Sequence, residues 1–182
     1  MSAPPTDRPP DPDRVFWTLT ALLVALDAWT KRLAEAGHPW LDAIERASAT
    51  VSFPLMYNPG VAFSLRVGGV AHAERWVHVM LATWVLVFLY ALYRRVSPAS
   101  PASMAGLALM HGGAAGNLLD RVRGQQGVVD FIHVDAGVLS GFVFNLADVA
   151  AVGGGALLLL ALARRECAPE EVRTRSGRPG AR

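Results

Sequence analysis

The stretch VLSGFVFNLADVAAVGGGALLLLALA occupies residues 138–163 and contains a single charged side chain, Asp148. Three further stretches are mainly apolar, at residues 15–36, 76–93 and 101–119. The first is interrupted by four charged residues near its far end, and the second is an uncharged run of 18 residues. At about 1.5 Å per residue, each stretch can cross a hydrocarbon core of about 30 Å with the help of its flanking residues. The pattern predicts an all-α membrane protein with four transmembrane helices.

The composition agrees with a membrane protein rather than a soluble domain. Of 182 residues, 52% are hydrophobic and only 18% are charged, and the formal net charge is +2. A soluble domain rarely combines so few charges with such long uncharged runs. The sequence has no basic stripe with interleaved aromatic residues, which is the pattern that would indicate a nucleic-acid partner. The single cysteine, Cys167, excludes a disulfide framework or a thiolate-rich metal site within the chain.

Polar tails flank the apolar region. Residues 1–14 hold five prolines and predict a disordered tail, and residues 166–182 predict a second one, which leaves residues 15–165 as the membrane domain. Four spans put both tails on the same side. Ten Lys and Arg residues then lie on the side of the tails and seven on the other, so both termini are expected to be cytoplasmic.

An alternative stays open for residues 15–36. Ala34 and Ala36 form an A-x-A site after an apolar core, which is also the pattern of a cleaved signal peptide. Removal of this segment would leave an odd number of spans and would unbalance the loop charges. A retained first helix is therefore the preferred interpretation.

The segment between the first two spans contains ATVSFPLMYNPGVAFSLRV at residues 49–67, which is rich in β-branched and aromatic residues. Asn58-Pro59-Gly60 within it predicts a turn. We expect a small extracytoplasmic β-sheet or hairpin between helices 1 and 2.

Three of the predicted helices carry polar pairs near the same end of the bundle. The pairs are Asp27 and Lys31, Asn117 and Asp120, and Asn145 and Asp148. Spacings of three and four residues put each pair on one helix face. Ionisable residues in spanning helices cost about 2.5–3.5 kcal/mol each on insertion scales, so they are candidates for function. The alternative to a functional role is that Asp27 with Lys31, and Asp120 with Arg121, form ion pairs that hold the bundle together.

Asp130 and Asp148 differ from the other acids because apolar residues surround each of them and no cation lies within one helical turn in sequence. If they converge, they share a proton, and one pKa is raised while the other is lowered. One carboxylate can then activate a water while the other protonates the leaving group. The two residues are 18 positions apart, so spacing alone does not establish convergence.

Other interpretations remain for the same residues. A divalent metal site would draw on Asp130, His133, Asp135 and Asp148, but these have no recognised ligand spacing. A small proton-coupled transporter would also carry intramembrane carboxylates, usually with paired repeats and broken helices near the midplane. Gly112 and Gly116 form a small-xxx-small face that favours close helix packing.

Five motifs, taken together, are more specific than any one of them. They are DAWTK (27–31), NPGVAFS (58–64), GGAAGNLLDR (112–121), VVDFI (128–132) and FNLAD (144–148). In this order and topology they resemble the lipoprotein signal peptidases, also called signal peptidase II. The resemblance covers residues 15–165.

The resemblance implies an aspartic endopeptidase of the bacterial inner membrane that cleaves diacylglyceryl-modified prolipoproteins just before the lipidated cysteine. Its partners would be these precursors and membrane lipid, with no nucleic acid, no metal and no cofactor, and we expect a monomer. Asp130 and Asp148 would be the catalytic pair. Residues implied to line or support the site are Asn58, Gly60, Gly113, Asn117, Arg121, Asn145, Asp27 and Lys31. Asp120 would order Arg121, and the outer sheet would cradle the substrate.

Overall fold

Four long helices and one short helix make up most of the described chain. The computed structural model describes residues 11–60, 71–96, 100–124 and 126–166. The helices are α1 (Pro12–Glu35), α2 (Pro39–Ala47), α3 (Ala71–Val96), α4 (Pro101–Arg123) and α5 (Leu146–Glu166). Residues 1–10 and 167–182 of the predicted tails, and residues 61–67 of the predicted sheet segment, lie outside the described residues.

Helices α1, α3, α4 and α5 contain 21 to 26 residues each. At about 1.5 Å per residue their lengths match a hydrocarbon core of about 30 Å. Two segments are also apolar enough to cross a membrane, Arg75–Val96 in α3 and Leu146–Arg164 in α5. Helices α1 and α4 carry charged residues near their C-terminal ends, which lowers their mean hydropathy.

Helix α4 lies at the centre of the bundle and packs against α1, α3 and α5. A methyl group on Gly106 would lie 2.7 Å from the backbone oxygen of Gly154, so α4 and α5 approach with their backbones almost in contact. A methyl group on Gly112 would lie 2.8 Å from a side-chain carbon of Leu23, and one on Gly116 would also meet α1. The packing predicted for Gly112 and Gly116 is confirmed.

The hydrophobic core is densest where α1 begins and α3 ends. Phe16 and Tyr93 are buried and stack with ring centroids 4.0 Å apart. The Tyr93 hydroxyl donates a hydrogen bond to Asp13 Oδ1 at 2.6 Å, which ties the two helix ends together. The bundle is therefore closed by apolar packing at this end, and the polar residues gather at the other.

Five short strands form two small antiparallel sheets in the described chain. They are β1 (Val51–Ser52), β2 (Met56–Asn58), β3 (Val128–Asp130), β4 (Ile132–Val134) and β5 (Val143–Phe144). One sheet has the order β1-β4-β5, and the other pairs β2 with β3.

The predicted sheet exists, but its confinement to the segment between helices 1 and 2 is wrong. The second arm of a hairpin that turns at Asn58-Pro59-Gly60 would lie outside the described residues. Strands β1 and β2 do not pair with each other; each pairs with a strand from the segment between α4 and α5. An isolated two-stranded hairpin is marginally stable at best. Strands this short gain their partners, and buried neighbours such as Val128 and Val129, from the other segment.

Two predicted boundaries also differ from the structure. Helix α1 begins at Pro12, not Val15, because Asp11 caps it through a 3.1 Å hydrogen bond from the Asp13 amide and proline suits the first helical turn. Helix α5 begins at Leu146, not Val138, and residues 137–139 form a 3-10 turn that precedes β5. Hydropathy does not distinguish that apolar turn and strand from a helix.

Candidate active site

Asn145 and Asp148 form a reciprocal cap at the start of α5. Asn145 Oδ1 accepts a hydrogen bond from the Asp148 amide at 2.9 Å, and Asp148 Oδ2 accepts one from the Asn145 amide at 3.1 Å. This is the capping-box arrangement, in which two backbone donors at a helix N-terminus are satisfied by two side chains. The positive end of the helix dipole also favours a carboxylate here. Asp148 is therefore fixed in position, while it stays partly exposed.

Asp130 ends β3, and its carboxyl group is buried with 4% of the residue surface exposed. Its Oδ1 accepts a 2.6 Å hydrogen bond from Asn145 Nδ2, and its Oδ2 accepts a 3.1 Å hydrogen bond from Asn58 Nδ2. Asn145 therefore contacts both Asp130 and Asp148. The structure brings these two carboxyl groups together at one asparagine, which binds Asp130 through its side chain and Asp148 through its backbone amide.

The environment of Asp130 favours its protonated form. Burial is the main cause and the nearby charge of Asp148 the second, and together they raise the pKa of Asp130 to about 6. Hydrogen bonds from Asn58 and Asn145 act in the opposite direction but do not cancel the rise. A buried carboxyl that keeps its proton up to about pH 6 thus lies near a second carboxyl that is partly exposed to water.

Asn117 connects the aspartates to a cation. Its Nδ2 donates to Asp148 Oδ1 at 2.8 Å, and its Oδ1 accepts from Lys31 Nζ at 3.0 Å and from Asn145 Nδ2 at 3.1 Å. Both ends of the amide are used, which determines its orientation. Lys31 thereby acts on Asp148 through a single intervening side chain.

Lys31 is the centre of a buried ion-pair network. Its Nζ lies 2.7 Å from Asp27 Oδ2 and 2.8 Å from Asp120 Oδ2. Asp27 Oδ1 also accepts a 2.9 Å hydrogen bond from the Ala147 amide, in the first turn of α5. The predicted Asp27–Lys31 pair is confirmed and extends to a third residue. Such pairing compensates the cost of burying the charges.

The alternative of an Asp120–Arg121 pair is wrong. Asp120 turns to Lys31 and also accepts a 3.3 Å hydrogen bond from the Val129 amide, so it supports β3. Arg121 turns elsewhere, and its Nη2 donates to the Gly60 carbonyl at 2.7 Å. Successive residues of an α-helix point about 100° apart and do not face each other.

The turn predicted at Asn58-Pro59-Gly60 is present. Asn58 Oδ1 accepts a 3.0 Å hydrogen bond from the Gly60 amide while its Nδ2 holds Asp130. Arg121 clamps the turn from the other side through the Gly60 carbonyl and also donates to the Asn117 carbonyl at 3.2 Å. Asn58, Gly60 and Arg121 therefore belong to the same polar cluster as Asp130.

Gly113, which the resemblance assigns to the site, lies where α4 meets α5. A methyl group at this position would collide with the backbone oxygen of Ala147. The structure puts Gly113 in the contact between α4 and α5, where it lets the helix that carries Asp148 approach Asn117 closely.

The metal set of Asp130, His133, Asp135 and Asp148 is not assembled. His133 uses one ring nitrogen for Ser52 Oγ at 3.1 Å and the other for the Ser140 carbonyl at 2.9 Å. Within the described ranges no three histidine, cysteine or carboxylate side chains meet as a metal-ligand group.

One supporting residue was missed. Arg75, at the start of α3, donates to the carbonyls of Arg121 and Val122 at 2.8 and 2.6 Å and so caps the end of α4. In the sequence it appears only as a loop charge, and nothing there distinguishes it from other arginines.

Comparisons with known proteins agree on one family. The family model described as signal peptidase (SPase) II matches residues 19–164. A lipoprotein signal peptidase of Mycobacterium avium (strain 104) is 37% identical over 166 residues, covering 87% of this chain and 84% of the relative. One from Geobacillus thermodenitrificans (strain NG80-2) is 33% identical, covering 80% and 88%. A bacterial membrane enzyme solved by the in meso method superposes with a TM-score of 0.64 at 20% identity, covering 84% of this chain and 90% of that one.

Proposed function

The chain belongs to the signal peptidase II family, and from this premise we propose that Asp130 and Asp148 are the catalytic pair of an aspartic endopeptidase. The protein is a membrane-bound protease that removes signal peptides from prolipoproteins. The observation that carries the aspartic mechanism is the position of Asn145, which hydrogen-bonds to both carboxyl groups. The relatives and the family model give no support to a transporter.

The two carboxyls differ in the way that the reaction requires. Asp148 is partly exposed and sits at a helix N-terminus, so it serves as the base that takes a proton from water. Asp130 is buried and its pKa is raised to about 6, so it holds the proton that passes to the substrate. The reactive state of the pair carries one proton in total.

The reaction then proceeds in two steps without a covalent intermediate. Asp148 accepts a proton from water, the water oxygen attacks the scissile carbonyl carbon, and Asp130 gives its proton to the carbonyl oxygen. In the resulting gem-diol, one hydroxyl returns a proton to Asp130 and the C–N bond breaks. The leaving nitrogen takes the proton from Asp148. The carboxyls supply both acid and base, so this mechanism uses no metal or cofactor.

We place the site at the membrane surface, where a lipidated precursor can reach it. Four long helices, with residues such as Trp84, Val152 and Leu159 strongly exposed, support a four-span bundle facing lipid. The excess of Lys and Arg on the side of the tails supports cytoplasmic termini and an outward-facing site. The proposed substrate is a prolipoprotein that carries a diacylglyceryl cysteine, cleaved before that cysteine by a monomer in the bacterial inner membrane.

A cleavage assay with purified protein tests this proposal. The full chain, a diacylglyceryl-modified precursor peptide and the same peptide without lipid are incubated in neutral detergent, and the released signal peptide is quantified. Asp130→Asn and Asp148→Asn should each abolish cleavage while the thermal unfolding transition stays cooperative. Asp135→Asn is the matched control, because Asp135 is an exposed carboxylate just beyond β4. Normal turnover by either variant of the pair would contradict the mechanism.

A further inference from the structure

A second concave site lies at the same end of the bundle, between the C-terminal ends of α1 and α4. Its volume is about 410 Å³, and neither Asp130 nor Asp148 lines it. Charged and polar side chains dominate its wall. They are Lys31, Arg32 and Glu35 from α1, Asp120 and Arg123 from α4, and Tyr57 from β2.

Two of these cations have no side-chain partner within the part of the chain that the structure describes. Lys31 and Asp120 are bound to each other at 2.8 Å, and Glu35 accepts a 3.3 Å hydrogen bond from the Tyr57 hydroxyl. Among the described residues, Arg32 and Arg123 form no ion pair and no side-chain hydrogen bond. The wall also holds Lys31, which Asp27 and Asp120 already neutralise, so Arg32 and Arg123 are the cations of the wall that remain for an anion.

We propose that this pocket binds the phosphate of an anionic phospholipid headgroup. Two guanidinium groups from different helices match the planar, bidentate geometry that phosphate oxygens accept. A volume of about 410 Å³ falls within the range of small-molecule sites, roughly 300–1,000 Å³.

The position of the arginines favours a lipid over a free phosphate ion. Arg123 is the last residue of α4 and Arg32 lies in the last turn of α1, which puts both near the depth of lipid headgroups. One turn before Arg32, Trp29 is 49% exposed on the same side of α1. An aromatic ring beneath a guanidinium suits a ligand with an acyl chain below its phosphate. A soluble anion would have no use for this apolar surface.

Lipid binding to the full chain tests the proposal without any cleavage readout, so the result is independent of the peptidase mechanism. Delipidated protein in neutral detergent is titrated with dioleoyl phosphatidylglycerol, dioleoyl phosphatidylcholine or inorganic phosphate. Native mass spectrometry reports the bound species and thermal unfolding reports the stabilisation. Phosphatidylglycerol should bind more tightly than phosphatidylcholine and should raise the melting temperature, whereas inorganic phosphate should not.

The variants separate this pocket from general charge effects. Arg32→Gln with Arg123→Gln should weaken phosphatidylglycerol binding about tenfold or more, since two charge-assisted hydrogen bonds are lost. Arg95→Gln with Arg164→Gln is the control, because these exposed arginines lie at the opposite end of the bundle. Glu35→Gln removes the wall carboxylate that is not paired with Lys31, and it should tighten binding.

Three outcomes would overturn the proposal. The first is an Arg32→Gln/Arg123→Gln variant that unfolds normally and binds phosphatidylglycerol like the parent. The second is equal affinity for both lipids. The third is equal stabilisation by inorganic phosphate, which would assign the pocket to a soluble anion. If the double variant does not fold, the single variants and Glu35→Gln decide the question, since they should shift affinity in opposite directions.

Discussion

The side-chain nitrogen of Asn145 lies 2.6 Å from Asp130 Oδ1, while the rest of the same residue caps Asp148. Asn145 is completely buried, so no water competes for these contacts. Asn145 therefore both caps the N-terminus of α5 and sets the relative position of the two acids. The two roles can be separated by substitution.

Asn145→Ser should separate the helix cap from the contact with Asp130. Serine is a good N-cap residue but is too short to reach Asp130, whereas alanine provides neither contact. We expect Asn145→Ser to unfold near the parent temperature, and Asn145→Ala to lose about 0.5–2 kcal/mol of stability. Both should cleave the lipidated precursor more slowly than the parent, without complete loss. Parent-like turnover by Asn145→Ser would show that the contact with Asp130 is dispensable.

The proton on Asp130 predicts a decline of activity with rising pH. The pKa of Asp130 is raised to about 6 by burial and by Asp148, so below pH 6 the pair carries the required proton. Above pH 6 Asp130 loses this proton, and kcat/KM should fall about tenfold for each pH unit. Initial rates from pH 5 to 9 in one detergent measure this. A flat profile across that range would contradict the assignment of the acid.

The ionisation of Asp130 also predicts that a neutral variant becomes more stable relative to the parent as the pH rises. The pKa of Asp130 is higher in the folded protein than its ordinary value of 3.8. Between pH 3.8 and about pH 6 the folded state therefore binds more protons than the unfolded state, and the folded protein loses stability as the pH rises through this range. The melting temperature of Asp130→Asn relative to the parent should therefore be higher at pH 8 than at pH 5. Asp135→Asn should show no such trend, since Asp135 is exposed.

Removal of Lys31 should damage both the fold and the site. Lys31→Met leaves Asp27 and Asp120 without their cation, and breaking a buried pair costs about 3–5 kcal/mol. It also removes the donor that orients Asn117 toward Asp148. Arg95→Met, at an exposed position, is the control. Adding Asp27→Asn should recover part of the lost melting temperature, and the absence of recovery would mean that Lys31 acts through packing alone.

The contact between α4 and α5 predicts opposite effects for two glycine substitutions. A methyl group at Gly106 meets the Gly154 oxygen at 2.7 Å and the Leu158 nitrogen at 3.0 Å, and backbone atoms cannot turn aside. Gly106→Ala should cost about 1–3 kcal/mol, as overpacking does. A methyl group at Gly153 meets nothing within 4 Å, so Gly153→Ala should gain about 0.5–1 kcal/mol from helix propensity. Thermal unfolding compares the two; equal effects would argue against a tight helix contact.

Local features of the fold were predictable, because periodicity and spacing report on single helices. The pairing of Asn145 with Asp148 and of Asp27 with Lys31 followed from spacings of three and four residues. The contact of Asn58 with Asp130 did not, since those residues are 72 positions apart. Only the pairing of β2 with β3 joins them, and strand register over such a distance leaves no local signature.

The predictions were wrong where one sequence property, such as hydropathy or adjacent opposite charges, is compatible with two different structures. Residues 138–144 are as apolar as a spanning helix, yet they form a turn and a strand. Asp120 and Arg121 are adjacent and oppositely charged, yet the helix turns them apart to Lys31 and to Gly60. Residues 1–14 were predicted to be a disordered tail, yet Asp11 caps helix α1, which begins at Pro12. In each case the geometry of the backbone decided what composition could not.

The exchange of strands between two distant segments also dictates an order of assembly. Strands β1 and β2 leave the ribosome long before β3, β4 and β5, which exist only after α4 has been made. During synthesis the early strands must wait unpaired while two more long helices, α3 and α4, are made. The protease thus completes its reaction centre last, when almost the entire polypeptide has been translated, and a truncated product that ends before residue 128 has no second strand with which to build it.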